Sequence, residues 1–388
     1  MSSSLPIYLD NHATTCVDPK VLEVMLPYFI ENYGNPASKN HIYGRNASRA
    51  VEEARAEIAK TIGAKHQEII FTSGATEAIN LAIKGVAQSS QTHTHHFITL
   101  ETEHKAVLDC FQWLEENGHK ITILPVNIDG LVDLNILKKA IQKDTLLVSI
   151  MAANNEIGIL QPLEEIGSIC REAGCYFMTD ATQALGKIPL NVDKMNIDIL
   201  ACSGHKLYAP KGIGSLYIRR SNPHVKISCQ INGGGHERGF RSGTLNVPNI
   251  VGFAQATKLA RSMMKKEQLR IKKMRDTLQQ ALLEAIPHSK INGHIERRLA
   301  GNLNIYFPNV ESEALIIRLK DVVSFSSGSA CTTAAIQPSH VLKALKLTED
   351  EIYSSVRFGL GRFNTQKEIE HLIPEIIKAV TELQDLAF

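Results

Sequence analysis

The amino-acid sequence predicts an α/β protein of two domains, a large one built on a mainly parallel sheet covered on both faces and a smaller α+β one. Three observations carry this prediction. Between residues 68 and 218, short apolar runs that read as strands alternate with runs of helical spacing, the pattern of a parallel sheet with helices on both sides. Several of these runs end in a different polar cluster: Glu103-His104, Asn154-Asn155-Glu156, Asp180-Ala181-Thr182-Gln183 and Ser203-Gly204-His205-Lys206. Ligands collect at the carboxyl ends of such strands. A long helical run from Val251 to about Ala285 then separates this set from a second set of strands. The large domain is placed at 15–260 and the smaller one at 1–14 and 261–388, within a chain of 388 residues that has length for two or three domains.

Taken in order, residues 7–15 predict a short strand ending in polar turn residues. Val21 to Tyr33 carries apolar residues at helical spacing and stops at Gly34-Asn35-Pro36. Residues 45–62 predict an amphipathic helix whose charges form a solvated face. Glu68 to Thr72 reads as a strand, followed by Ser73-Gly74-Ala75-Thr76-Glu77 and a helix to Ala87. Further strands are expected at His96–Leu100, Lys120–Val126, Leu146–Met151, Tyr176–Thr179, Ile197–Cys202 and Ser215–Ile218. Helices are expected between them at Ala106–Glu116, Leu134–Gln142 and Leu163–Ala173. Residues 233–244 form a glycine-rich loop with Arg238 and Arg241, suited to an anion or a subunit contact and equally to a plain connector. Beyond the long helix, Leu303–Phe307, Val322–Phe325 and Val356–Phe358 read as strands of the smaller domain, and an amphipathic helix follows Thr365.

Composition narrows the function classes. With 44% hydrophobic and 21% charged residues and a formal net charge of +2, the chain is an ordinary globular protein with no electrostatic case for a nucleic-acid or membrane surface. The first residues lack a basic segment followed by an apolar one, and no apolar run reaches bilayer length, so a cytoplasmic location is expected. The 7 cysteines are odd in number, scattered and without a Cys-x-x-Cys pair, which argues against a disulfide framework and a zinc site.

The chemistry-bearing residues sit at the strand ends. Lys206, on a turn beside a hydroxyl and an imidazole, has the means to form a Schiff base with an aldehyde cofactor while its neighbours hold a phosphate. A lone Gly-His-Lys is more often a solvated turn. Ser73 to Glu77 at a helix start offers a phosphate seat, although Ser73 and Thr76 serve equally as N-caps. Asp180 suits a protonated ring nitrogen, and a histidine suits the face of a flat cofactor. Cys331, in the small-residue stretch 326–335, is either a nucleophile on an exposed, mobile loop or incidental. Arg357 lies in an apolar strand, where a ligand carboxylate would satisfy it.

Assembled, these residues resemble the cysteine desulfurases of the IscS/NifS type, in the class V aminotransferase group of pyridoxal-phosphate enzymes. The likeness runs from Tyr8-Leu9-Asp10 to Gly361-Arg362-Phe363. Its most specific pieces are Ala75-Thr76-Glu77-Ala78, Thr102 to Val107, Asn154 to Gly158, Ser203 to Lys206, Arg238 to Thr244 and Ser326 to Thr332. It implies a fold-type I pyridoxal-phosphate transferase with a seven-stranded sheet. It further implies that Lys206 carries the cofactor, that His104 stacks on its ring and that Asp180 pairs with the ring nitrogen. Asn155 and Gln183 would bond the substrate side or the ring oxygen. Ala75, Thr76, Ser203 and His205 would hold the phosphate, joined by Thr244 from the second subunit of a homodimer. Arg357, with Asn35, would grip the substrate carboxylate.

The implied reaction converts L-cysteine to L-alanine, with Cys331 taking the sulfur as a persulfide for iron–sulfur cluster assembly or thiolation. The implied partners are L-cysteine and a sulfur acceptor, such as an iron–sulfur scaffold or a tRNA-thiolation carrier. No resident metal is implied, contact of Cys331 with an iron–sulfur cluster belonging to sulfur delivery. An aminotransferase or selenocysteine lyase of the same group would keep Lys206, Asp180 and His104 without needing Cys331. A non-catalytic platform of this fold would be expected to have lost Lys206 or Asp180. His12 stands where the family often has asparagine, a modest change expected to leave the chemistry intact. The chain ends at Phe388 without the longer tail by which many relatives dock a scaffold protein, which leaves the acceptor open.

Overall fold

In the computed structural model, residues 5–90, 94–327 and 338–386 are described. Cys331 and its flanking loop lie outside the described residues. The chain opens on β1 (Ile7–Tyr8), the short strand expected at the start of 7–15, and turns at once into polar residues. The helix expected over Val21–Tyr33 is two helices, α1 (Pro19–Met25) and α2 (Pro27–Ile30). Pro27 has no N–H to continue α1, and it starts α2 from the first helical position. Helix α3 (Ile42–Ile62) is capped by His41 Nδ1, which accepts from Gly44 N at 3.2 Å, and it ends on Gly63 at φ 71°.

The alternating region follows as β2 (Ile69–Thr72), α4 (Ala75–Ser89), β3 (His96–Leu100), α5 (Lys105–Glu116), β4 (Lys120–Leu124), α6 (Leu134–Ala140), β5 (Thr145–Ser149), α7 (Leu163–Ala173), β6 (Tyr176–Asp180), β7 (Ile199–Ser203) and β8 (Gly214–Ile218). Its strands form a seven-stranded sheet in the order β2-β8-β7-β6-β5-β3-β4. Only β8 runs against its neighbours, so β2 regains the direction of β7 and ends at the same edge. Successive strand residues face opposite sides. Ile69, Phe71, Val148, Phe177 and Leu200 enter one apolar cluster with α3 and α7, whereas Ile70, Leu147, Met178 and Ile199 enter another with α4 and α5.

Helix α8 (Val247–Ala285) is 39 residues long, about 58 Å at helical rise. Its first half, through Ala260, packs into the cluster of α3. Its second half, from Ile271, packs into a third cluster with β9 (Lys290–Ile291), β10 (Asn302–Tyr306), α9 (Ser312–Leu319) and β11 (Val323–Ser324), and β12 (Ser326–Ser327) follows. The remaining elements are α10 (His340–Ala344), α11 (Glu349–Tyr353), β13 (Ser355–Gly359) and α12 (Gln366–Leu386). Strands β12-β13-β10-β9 form an antiparallel sheet, and β1 pairs in parallel with β11. The first residues are thereby stitched to the last sheet, with Asp10 bridging Gly359. Among the described residues no helix is long and apolar enough to cross a membrane.

Candidate active site

Strand β7 is buried along its length and delivers Ser203 and then the single turn Gly204–Lys206 to the sheet edge. The turn packs tightly. A Cβ on Gly204 would stand 2.9 Å from Ile213 Cγ2, and one on Gly214 would stand 2.5 Å from Cys202 O and 2.7 Å from Gly74 Cα. Bare backbone there lets the β2–α4 turn approach β8 closely. Lys206 Nζ rests on main-chain carbonyls from the start of the chain, donating to His12 O at 2.7 Å and to Ala13 O. His205 Nδ1 faces Thr14 Oγ1 at 3.1 Å, and burial, then Lys206, pushes its imidazole down to about 4, so it is neutral at ordinary pH.

These residues line a cleft of about 690 Å³. On one side lies the start of α4. Its first-turn N–H groups have no partner inside the helix, and with the helix dipole they make a seat for an anion. Gly74 at the N-cap supplies no side-chain oxygen to compete, so Ala75 and Thr76 face the cleft with their donors free of a cap. Glu77 sits in the same turn, but Arg241 neutralises it at 2.7 Å, and Ser73 N donates to it at 2.8 Å.

Opposite lie the ends of β3, β5 and β6. His104 is the N-cap of α5, its Nδ1 accepting from Ala106 N at 3.1 Å, which leaves Nε2 to carry the proton of the neutral ring. Its neighbour Glu103 is fully buried; burial holds its carboxyl well above the ordinary range, and among the described residues only Oε1 is bonded, to Met151 N at 2.6 Å. Asp180 is 5% exposed; Oδ1 accepts from Thr182 N at 2.8 Å, and Oδ2 has no donor among the described residues. Gln183 donates to His12 O at 2.8 Å.

The fourth wall comes from the smaller sheet. Arg357, 3% exposed on β13, donates to Asn155 O at 2.9 Å and Asp10 Oδ1 at 2.7 Å, while its Nε is buried without a partner among the described residues. The acidic partner that its burial demands is thus supplied by the protein itself, and one N–H on each terminal nitrogen remains for a ligand. Glu156 accepts from Ser339 Oγ at 2.5 Å, and burial pushes its carboxyl up to about 7.

Of the residues singled out in the sequence, Ala75, Thr76, His104, Asn155, Asp180, Gln183, Ser203, His205, Lys206 and Arg357 line the one cleft. Asn35 and Thr244 do not: both are exposed, and Asn35 lines a separate groove with Arg55 and Arg238. Sequence reasoning gave no role to Asp10, Thr14 or Ser339, and named Glu156 only as a member of the strand-end cluster Asn154-Asn155-Glu156. The signal available for the first two was the polar run after β1, a poor place for so many hydrogen-bonding groups unless they are used.

The cleft fits pyridoxal phosphate. It offers a lysine amine, an anion seat, a flat imidazole, and a nearly buried carboxylate with one oxygen lacking a donor among the described residues. Thr182 Oγ1, also buried at this wall, has no partner among the described residues either.

Residues 7–372 match the family model for aminotransferase class V. A protein of Anaeromyxobacter sp. (strain Fw109-5) named cysteine desulfurase IscS is 50% identical over 99% of this chain and 94% of its own. A solved NifS-like protein superposes with a TM-score of 0.91 at 37% identity, covering 97% of this chain and all of that one. A solved complex of SspA with cysteine reaches 0.82 at 36% identity, over 92% of this chain and all of that one. The order of the strands, the lysine at the end of β7 and these likenesses agree: the chain belongs to the class V aminotransferase family.

Proposed function

We propose that the chain is a pyridoxal-phosphate-dependent cysteine desulfurase, in which the residues of this cleft hold L-cysteine and Cys331 receives its sulfur. The observation that carries the reading is the convergence of Lys206, Asp180, His104, Arg357 and the α4 N-terminus on a single cleft. Ala75, Thr76, Ser203 and His205 would hold the phosphate, His104 the ring face, and Asp180 the ring nitrogen. When bound, the cofactor supplies an electron sink for the Cα carbanion of the substrate.

The residues do the rest. Arg357, oriented by Asp10, offers its spare N–H groups to the substrate carboxylate, aided by Asn155. The Lys206 amine takes the Cα proton, and the two carbonyls that accept from its Nζ fix its resting position. The Cys331 thiolate attacks the substrate sulfur. The C–S bond breaks, an S–S bond forms on the enzyme, and alanine leaves with a methyl group where the thiol stood.

A dimer completes the reading, with Thr244 reaching the phosphate seat of the partner subunit. Leu26, Phe29, Ile30, Tyr33, Ile42 and Tyr43 support it, because they expose a run of large apolar side chains over α1 to α3. The two clusters that α8 joins support the division at 15–260 against 1–14 and 261–388 for most of the chain, Leu9 belonging to the second, whereas Leu299, Val341, Leu342, Ala344, Leu345 and Ile352 pack into the first. Free thiols suit a reducing compartment such as the cytoplasm. The sulfur would pass on to an acceptor protein for iron–sulfur cluster assembly or thiolation.

Alanine and sulfide formation from L-cysteine with a reductant, in wild type and Cys331→Ala, tests the proposal. Stoichiometric products in the wild type, lost in a variant that keeps its cofactor absorption, are expected. Undiminished turnover in the variant would make the chain another class V lyase or aminotransferase.

A further inference from the structure

Behind Lys206 lies a buried polar cluster that the reaction above leaves unused. Gln183 Oε1 takes Lys187 Nζ at 3.1 Å and faces His12 Nδ1 at 3.2 Å, while Gln183 Nε2 donates to His12 O. The last bond fixes which end of the amide is nitrogen. Oε1 must then meet a hydrogen on Nδ1, since two acceptors in contact would repel, so the neutral imidazole carries its proton on Nδ1. Burial, then Lys187 and Arg357, hold that imidazole well below its ordinary value. Its other nitrogen, Nε2, is buried and unpartnered among the described residues, which the same tautomer explains.

Both lone pairs of Gln183 Oε1 are therefore filled by donors. Turning the amide over would set its NH₂ against an N–H of Lys187 and an N–H of His12 at once. Lys187, pushed down to about 7 by burial and by Lys206, donates an N–H in either charge state. One hydrogen of Nε2 remains, on a side chain that lines the cleft.

We propose that His12 and Lys187 are positioning residues that fix the polarity of Gln183, so that it presents an N–H donor, and not its carbonyl, to an anionic oxygen of the group bound in the cleft. The inference rests on the pyridoxal-phosphate reading above and assigns a function to His12, the position where this chain departs from the family pattern. A flipped amide would turn an attraction for a negative oxygen into a repulsion. The main-chain carbonyl of His12 takes Nε2, and the two side-chain donors hold Oε1 in place, so removing one of them leaves the other to do so.

The test uses the full chain freed of cofactor and titrated with 4-deoxypyridoxine 5′-phosphate, which keeps the ring oxygen but has no aldehyde to react with Lys206. Affinity and the near-ultraviolet band of the ionised ring oxygen are read, with circular dichroism as the check on folding. His12→Ala and Lys187→Met are each expected to weaken binding about threefold, and the double variant, in which Oε1 has lost both donors and only the His12 carbonyl still holds the amide, by more than the product, beyond about tenfold, with a weakened ionised band. Lys187→Arg, which keeps a donor to Oε1, should bind as wild type. If His12→Ala does not fold, the contrast of Lys187→Met with Lys187→Arg decides. Variants that bind as wild type, or whose effects simply multiply with the band intact, would overturn the inference. A wild type that takes up neither this compound nor pyridoxal phosphate would instead overturn the cofactor reading, and the inference with it.

Discussion

A carboxyl buried beside a hydroxyl gains little by ionising, and Glu156 is such a group. Its folded value near 7 stands above the ordinary 4.5, burial outweighing the Ser339 hydrogen bond and the nearby Arg357 charge. The neutral form is therefore the one the fold favours. Its contribution to stability is complete below pH 4.5 and is lost as pH rises through 7. Glu156→Gln keeps an acceptor for Ser339 and has nothing to ionise. The variant should gain on the wild type as pH rises from 4.5 to 8, by on the order of 3 kcal/mol, in urea unfolding followed across pH. A difference that does not change with pH would show that Glu156 ionises freely in the folded protein.

Among the elements, the loop after β8 is anchored by one deeply buried ion pair. Arg55, from the middle of α3, makes a two-pronged contact with Glu237 at 2.7 Å on each prong, and it also donates to Ile69 O. Glu237 takes Phe71 N as well, at 2.7 Å, and the two side chains are 3% and 1% exposed. Helix α3, strand β2 and the glycine-rich loop thus meet at one buried pair, and Arg241 of that loop reaches the first turn of α4. Arg55→Ala would leave a buried carboxylate without its charge partner, at a loss of about 3–5 kcal/mol. The same denaturation experiment on Arg55→Met with Glu237→Gln should show a smaller loss, since no charge is then stranded. Equal losses would mean that packing of the arginine stem, not charge, holds the loop.

For the molecule as a whole, the exposed apolar run over α1 to α3 predicts a dimer that charge would break. Phe29→Asp with Ile30→Asp should leave circular dichroism intact and shift sedimentation from dimer to monomer; a monomeric wild type would remove the role given to Thr244. Much of the architecture was legible in the sequence because strands covered on both faces read as apolar runs and each helix between them carries its own period. The site was legible where chemistry follows directly on a strand, as at Asp180, Ser203 and Lys206. Pairing across the fold leaves no such local trace. Nothing near Arg357 announces that its counter-charge is Asp10, and nothing near Lys187 points to His12. Likewise the single helix expected over Val21–Tyr33 was split by Pro27, whose missing N–H outweighed the apolar spacing around it.

The stitching of the first residues to the last sheet also bears on when the protein can become active. Lys206 rests on carbonyls 194 and 193 residues away in sequence, and Arg357 is oriented by an aspartate 347 residues before it. Contacts of such separation form late, after the shorter loops have closed. On the ribosome, His12 and Ala13 wait for Lys206, and Asp10 waits until translation has passed Arg357. Cofactor capture in full is therefore a post-translational event, and a chain released before that point would carry the reactive lysine with no arginine to select what it meets.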